Sequence, residues 1–141
     1  MKENIVASAD AMAMFCRLQM STRKDLPIRS SEMGVLIYIQ KEREAVTPLM
    51  ISSFFHITKP SVTAMLNSLI RGGYLEKKQS STDGRSYTVS ITDKGLELLD
   101  LTYRDYFKAM ELLEERMGGR DFDKLVNLIQ KANAILKEEI K

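Results

Sequence analysis

The chain has 141 residues, a formal net charge of +2, one cysteine and one histidine. That length supplies one domain with a core and is short for two. A lone cysteine excludes an internal disulfide framework, and a charge this near zero excludes a polycation that binds nucleic acid by bulk charge alone.

Lys2-Glu3-Asn4 opens the chain without the pattern of a secretory leader. The longest apolar run, Met33 to Ile39, is far too short to cross a bilayer. The expectation is a soluble, cytoplasmic protein with no membrane partner. Residues 4–20 read as a first helix. Ile5, Ala9, Met12, Cys16 and Met20 recur on it at steps of three and four, and Val6, Ala13 and Phe15 widen the stripe. So much apolar surface needs cover, from the C-terminal helices of the same chain or of a second one. Cys16, between Met12 and Met20, reads as a small buried hydrophobe, and most of the nine methionines read as core. Residues 21–30, with Asp25-Leu26-Pro27, read as a connection. Ser31 to about Glu44 forms the second helix, capped by Ser31 with Glu32 favourable in the first turn. Its block Val35 to Ile39 implies burial on most sides, and Ala45-Val46 reads as a short strand closing a small sheet.

Two short helices follow. Thr47-Pro48 starts the first, Leu49 to Phe55, because proline suits an initial helical turn. His56-Ile57-Thr58 is a turn. Thr58 then caps a helix opened by Lys59-Pro60, apolar at Val62, Met65, Leu66 and Leu69 and stopped by Gly72-Gly73. The pair is a helix-turn-helix. Tyr74 to Lys78 is β-compatible and basic at its end. Residues 80–84, Ser-Ser-Thr-Asp-Gly, are turn chemistry, and Ser86 to Thr92 alternates with Tyr87, Val89 and Ile91 on one face. A helix-turn-helix followed by a hairpin is a winged helix, with Arg85 at the hairpin tip. Residues 45–95 hold six Lys/Arg against three acids, and the rest of the chain holds fifteen against sixteen, so the positive excess lies on this module.

Thr92-Asp93-Lys94-Gly95 leads into a long helix with Leu96, Leu99, Tyr103, Tyr106-Phe107, Met110 and Leu113 at helical spacing as far as Met117. Gly118-Gly119 breaks it. Asp121 is placed to cap a last helix striped by Phe122, Leu125, Val126, Ile129, Ala132, Leu136 and Ile140.

Residues 57–63, Ile-Thr-Lys-Pro-Ser-Val-Thr, then Leu69, then Gly73-Tyr74-Leu75-Glu76-Lys77-Lys78 resemble the multiple-antibiotic-resistance (MarR) regulator family. So do Asp83-Gly84-Arg85 with Val89 to Gly95, and, less sharply, Ser31 to Leu36. The sharp match covers about 50 residues. The resemblance implies a mainly α fold with a small β-wing (α+β), as one domain over 1–141. Residues 31–95 would form the winged helix-turn-helix, and 1–30 and 96–141 the dimerisation helices, the terminal helices of two chains interleaving. It also implies a homodimeric regulator, a repressor relieved by a small, often aromatic, organic effector. The pocket residues stay open, with Tyr38, Tyr103, Tyr106 and Phe107 as candidates. Some relatives sense peroxides through a first-helix cysteine, which makes Cys16 a redox alternative to the buried one.

With Val62, Met65, Leu66 and Leu69 turned inward, the opposite face of the second short helix centres on Pro60, Ala64, Asn67 and Arg71, flanked by Ser61 and Thr63. Ala64 suits a thymine methyl, Asn67 adenine N6/N7, and Ser61 and Thr63 bases or phosphates. Relatives often carry a long basic residue where this chain has Ala64. Thr58 and Lys59 stand at the helix start. Lys77 and Lys78 suit phosphates, which position without specifying. Arg85 suits a minor groove, where negative potential is strongest, and Asp83 can orient it. The expected partner is double-stranded DNA, as a pseudo-palindrome with half-sites about one helical turn apart. A winged helix used only for protein contact needs neither the wing arginine nor the polar face. No Gly-rich phosphate loop, metal-ligand spacing or nucleophile–base pair is present, so neither an enzyme, a metal nor a cofactor is expected. His56, the one histidine, reads as a turn residue.

Overall fold

In chain order the described residues form α1 (Glu3–Ser21), α2 (Ser30–Lys41), α3 (Pro48–Phe55), α4 (Lys59–Arg71), β1 (Leu75–Gln79), β2 (Tyr87–Ile91), α5 (Asp93–Met117) and α6 (Gly119–Glu139). The structure, a computed structural model, describes residues 2–23, 26–42, 44–80, 82 and 86–140. It is mainly helical with one antiparallel pair of strands, and its fold is that of a winged helix. The chain divides into two compact units, Leu26–Tyr103 and Met1–Asp25 with Arg104–Lys141. No helix among the described residues is long and apolar enough to cross a membrane.

The Leu26–Tyr103 unit is built around α2. A helix apolar on nearly every side has to be enclosed, and Met33, Val35, Leu36, Ile37 and Ile39 are all buried. The helix starts one residue earlier than its serines suggest, at Ser30. The reason is Glu32: its carboxylate, though buried, accepts from the Arg29 backbone N–H at 2.9 Å. That bond satisfies both a helix-end donor and a carboxylate that would be costly to bury alone. The helix also ends early, at Lys41, with Glu42 already extended.

The same unit also buries Ile51 of α3, Val62, Leu66 and Leu69 of α4, Leu75 and Val89 of the hairpin, and Leu98 and Leu99 of α5. Met65 is half-buried. The strands pair in the register Leu75↔Ile91, Lys77↔Val89 and Gln79↔Tyr87. The expected third strand is a single bridge, in which the Val89 N–H donates to Val46 O at 2.8 Å. Buried Thr102 donates its hydroxyl to Leu98 O at 2.7 Å, so α5 closes this core without a stranded polar group.

In the other unit α1 buries no residue. The expectation of a buried Cys16 is therefore corrected: the thiol is exposed on this chain. Met12, Met14, Met20 and Met117 are exposed as well, and among the described methionines only Met33 is fully buried, so most of these are not core within one chain. The physical reason is that the described residues of its own unit leave this side of α1 uncovered. In α6, Phe122, Leu125 and Val126 are half-buried, whereas Leu128, Ile129, Ile135 and Leu136, and Ile140 just beyond the helix, are exposed. Asp121 does not cap α6. The helix begins at Gly119 behind Gly118, whose φ of 88° makes the break, and Asp121 lies in the first turn, where its charge suits the helix dipole.

Candidate nucleic-acid interface

The turn between α3 and α4 is set by local hydrogen bonds. Thr47 Oγ1 accepts from Met50 N at 3.2 Å and caps α3 in front of Pro48. At the far end His56 adopts the left-handed conformation, φ 55° and ψ 49°, and the Ile57 N–H returns to Ser52 O at 3.2 Å. Ser52 Oγ donates to Ile57 O at 2.6 Å and closes the turn from the other side. His56 is thus a turn residue, as its position implied. Thr58 Oγ1 then accepts from Ser61 N at 3.3 Å and donates to Ser61 Oγ at 2.9 Å. Its hydroxyl is engaged in starting α4, so Thr58 shapes the surface more than it offers a free group to it.

α4 turns Val62, Leu66 and Leu69 inward, and one full face is left to solvent. Lys59, Pro60, Ser61, Thr63, Ala64, Asn67 and Arg71 are all exposed. Six of them follow from helical spacing and Lys59 from its place at the helix start, and the structure brings all seven to one element with their side chains accessible. Ser68, one turn beyond Ala64, is exposed too and belongs to this surface. Its four-residue offset from Ala64 is the signal that finds it. The helix N-terminus adds a positive dipole end beside Lys59, a combination suited to a phosphate.

The hairpin separates its two lysines. Register alternation places Lys77 with Val89 and Tyr87, and Lys78 with Thr88 on the opposite face. Both are exposed, but the Lys77 ammonium lies over the Tyr87 ring, 4.3 Å from its centroid. That cation–π contact holds Lys77 against the hairpin, whereas Lys78 projects from the outer face. Pairing continues past the strands, since Ser80 N donates to Ser86 O at 2.9 Å. The two remaining sequence-derived residues, Asp83 and Arg85, lie outside the described residues.

Of the aromatic residues considered for an effector pocket, Tyr38 belongs to the Leu26–Tyr103 unit. Its ring lies tilted by 35° against Phe54 at 4.5 Å and meets Phe55 edge-on at 5.8 Å. Burial, with a smaller contribution from nearby Glu42, raises its phenol above the usual value. Tyr106 and Phe107 belong to the other unit, in an edge-on pair at 4.9 Å with the Arg23 guanidinium 4.0 Å from the Tyr106 ring centroid. Among the described residues no three His, Cys, Asp or Glu side chains gather as a metal site.

The surface can therefore present a polar, shallowly contoured helix to base edges, with cations to either side for a polyanion. A family model described as MarR family matches residues 25–86. The HTH-type transcriptional regulator BilQ of Clostridioides difficile (strain CD3) is 30% identical over 91 residues, covering 64% of this chain and 61% of BilQ. The chain thus spans about three fifths of that relative's length. Among solved structures, MepR of S. aureus in complex with DNA superposes with a TM-score of 0.81 at 14% identity, covering 89% of this chain and 96% of MepR. The PcaV transcriptional regulator of Streptomyces coelicolor, in complex with its natural ligand, superposes with a TM-score of 0.76 at 17% identity, covering 89% of each chain.

Proposed function

We propose that this chain, which the MarR family model matches over residues 25–86, is a MarR-family homodimeric transcription regulator that reads double-stranded DNA with α4 and grips it with the hairpin. The observation that carries the reading is the division of α4 into a buried apolar side and an uninterrupted exposed side that includes Ser61, Thr63, Ala64 and Asn67. Small and amide side chains on a rigid helix are what base edges in a major groove require. Lys59, Arg71 and Lys78, with the sequence-derived Arg85, supply the sequence-independent attraction. Lys77, held over Tyr87, contributes its charge from a fixed place.

A dimer follows from the apolar residues that α1 and α6 leave exposed on a single copy. Two recognition helices related by a two-fold would read half-sites about one helical turn apart. MepR is solved with DNA and PcaV with its natural ligand, which supports DNA as the partner and a small organic effector as the modulator. In this reading the regulator is a repressor whose dimer geometry the effector shifts away from the operator spacing. It is not an enzyme.

The test is selection of duplexes from a random pool by the purified protein, followed by gel shifts of selected and random DNA across a salt series. Enrichment of a pseudo-palindrome, with affinity falling steeply as salt rises, is the expected result. Recovery of no sequence preference would leave the protein-contact alternative standing. A second reading draws on the exposed thiol of Cys16. An accessible cysteine on the helix where relatives sense oxidants fits a redox-controlled regulator, and peroxide-driven release of DNA that is lost in Cys16→Ser would establish it.

A further inference from the structure

We infer that Thr92 and Lys94 are positioning residues for the recognition helix, clamping the exit of α4 onto the first turn of α5. The inference rests on the DNA-binding reading above.

α4 ends at Arg71, and the chain leaves through Gly72 and Gly73, the latter at φ 82°. Three N–H groups turn back into the helix: Gly72 to Ser68 O, Gly73 to Ile70 O and Tyr74 to Leu69 O, each at 3.0 Å. The carbonyls of Gly72 and Gly73 lie beyond that ladder and point away from it. Both are taken by residues more than eighteen positions away in sequence. Thr92 Oγ1 donates to Gly73 O at 2.6 Å and accepts from Gly95 N at 3.1 Å, so one hydroxyl caps α5 and holds α4. Lys94 Nζ donates to Gly72 O at 2.6 Å, with its ammonium 4.8 Å from the Tyr74 ring centroid. Thr92 N donates to Tyr74 O at 3.1 Å. A Cβ at Gly95 would collide with Tyr74 O and with Ile91 Cγ1, so α5 starts in direct contact with the hairpin. The end of α4, the end of β2 and the start of α5 form one corner.

The corner bears on specificity more than on affinity. A phosphate contact tolerates a swing of the helix, because flexible cations follow the backbone. A base contact does not, because amide and hydroxyl groups on a helix must meet fixed donors and acceptors. α4 is held at its start by Thr58 and along one side by Val62, Leu66 and Leu69. The carbonyl clamp fixes its other end, beside Arg71 and one turn from Asn67.

The experiment compares wild type, Thr92→Val, Thr92→Ser and Lys94→Met. Each is measured by gel shift on a duplex selected by wild type and on random duplex of the same length, across a salt series, with melting temperature alongside. Thr92→Val keeps the β-branched shape and loses the hydroxyl. Its ratio of selected to random affinity is expected to fall about tenfold, roughly one lost hydrogen bond plus an orphaned carbonyl. Random-DNA affinity and the salt slope should be unchanged, and Thr92→Ser should restore the ratio. Lys94→Met, on an exposed side chain, should lower the ratio about threefold. If Thr92→Val does not fold, Lys94→Met decides. A ratio that stays at the wild-type value while the melting temperature drops would overturn the inference, because the clamp would then be structural only. So would an equal loss on both DNAs for Lys94→Met with a salt slope shallower by about one, since Lys94 would then be a phosphate contact. A wild type that does not distinguish selected from random DNA removes the DNA-reading proposal itself, and the inference with it.

Discussion

The apolar C-terminal half of α6 yields a quantitative expectation for assembly. Ile135 is 54% exposed and Leu136 57% exposed on a single chain. Burying a whole isoleucine or leucine side chain stabilises by about 1.5–3 kcal/mol, so covering the exposed half of each contributes about 1 kcal/mol. In a two-fold dimer each residue acts twice, and the double substitution Ile135→Ala, Leu136→Ala should weaken association by about 4 kcal/mol, roughly a thousandfold in the dissociation constant. Alanine keeps the helix propensity, and neither side chain is part of the described core, so each protomer should retain its fold. Sedimentation equilibrium over nanomolar to high micromolar protein reads the constant directly, and circular dichroism at each concentration checks that helix content is kept. Deleting 121–141 should abolish the dimer and DNA binding together. A folded monomer for the intact chain at micromolar concentration would refute the reasoning. So would a double variant that dimerises as tightly as wild type, which would move the interface off this half of α6.

Three further expectations concern single sites. Arg85→Ala should weaken binding to selected and random DNA alike, by about 1–3 kcal/mol, and flatten the salt slope by about one; Asn67→Ala should weaken only the selected DNA at an unchanged slope, and the reverse pattern would show that α4 is not the reader. Cys16→Ser should leave DNA affinity close to wild type and lower the melting temperature modestly, because the thiol, exposed on one chain, lies on the α1 stripe that the proposed dimer covers; an unchanged melting temperature would place Cys16 outside the interface. Tyr38, whose phenol is raised by burial and by Glu42, should contribute stability in full below its unfolded value of about 10 and lose it as pH rises through the folded value. Denaturant unfolding on either side of about pH 10 should show an alkaline decline in wild type that is smaller in Tyr38→Phe, and parallel curves for the two would discount the shift.

What could be read in advance was whatever the chain decides within a few residues. Thr47-Pro48, Thr58-Lys59-Pro60 and Gly72-Gly73 set the limits of α3 and α4 because their caps and stops act over three or four positions. The exposed face of α4 followed from the 3.6-residue period once Val62, Leu66 and Leu69 were turned inward. The cap of α2 lies two residues before Ser31 because Arg29, not a serine, occupies it, through a backbone N–H that any residue carries. The rest depends on partners remote in sequence. Lys77 and Lys78 look alike as neighbours, and only the register Lys77↔Val89 sends one toward Tyr87 and the other to the outer face. The Thr-Asp-Lys-Gly run at 92–95 matched a pattern without revealing a purpose, because Thr92 and Lys94 bond carbonyls 19 and 22 residues earlier. Cys16 and the α1 methionines have the spacing of a core and are exposed on one chain. Periodicity specifies that a face is apolar, and tertiary packing decides which surface, in the same chain or in another copy, removes it from water.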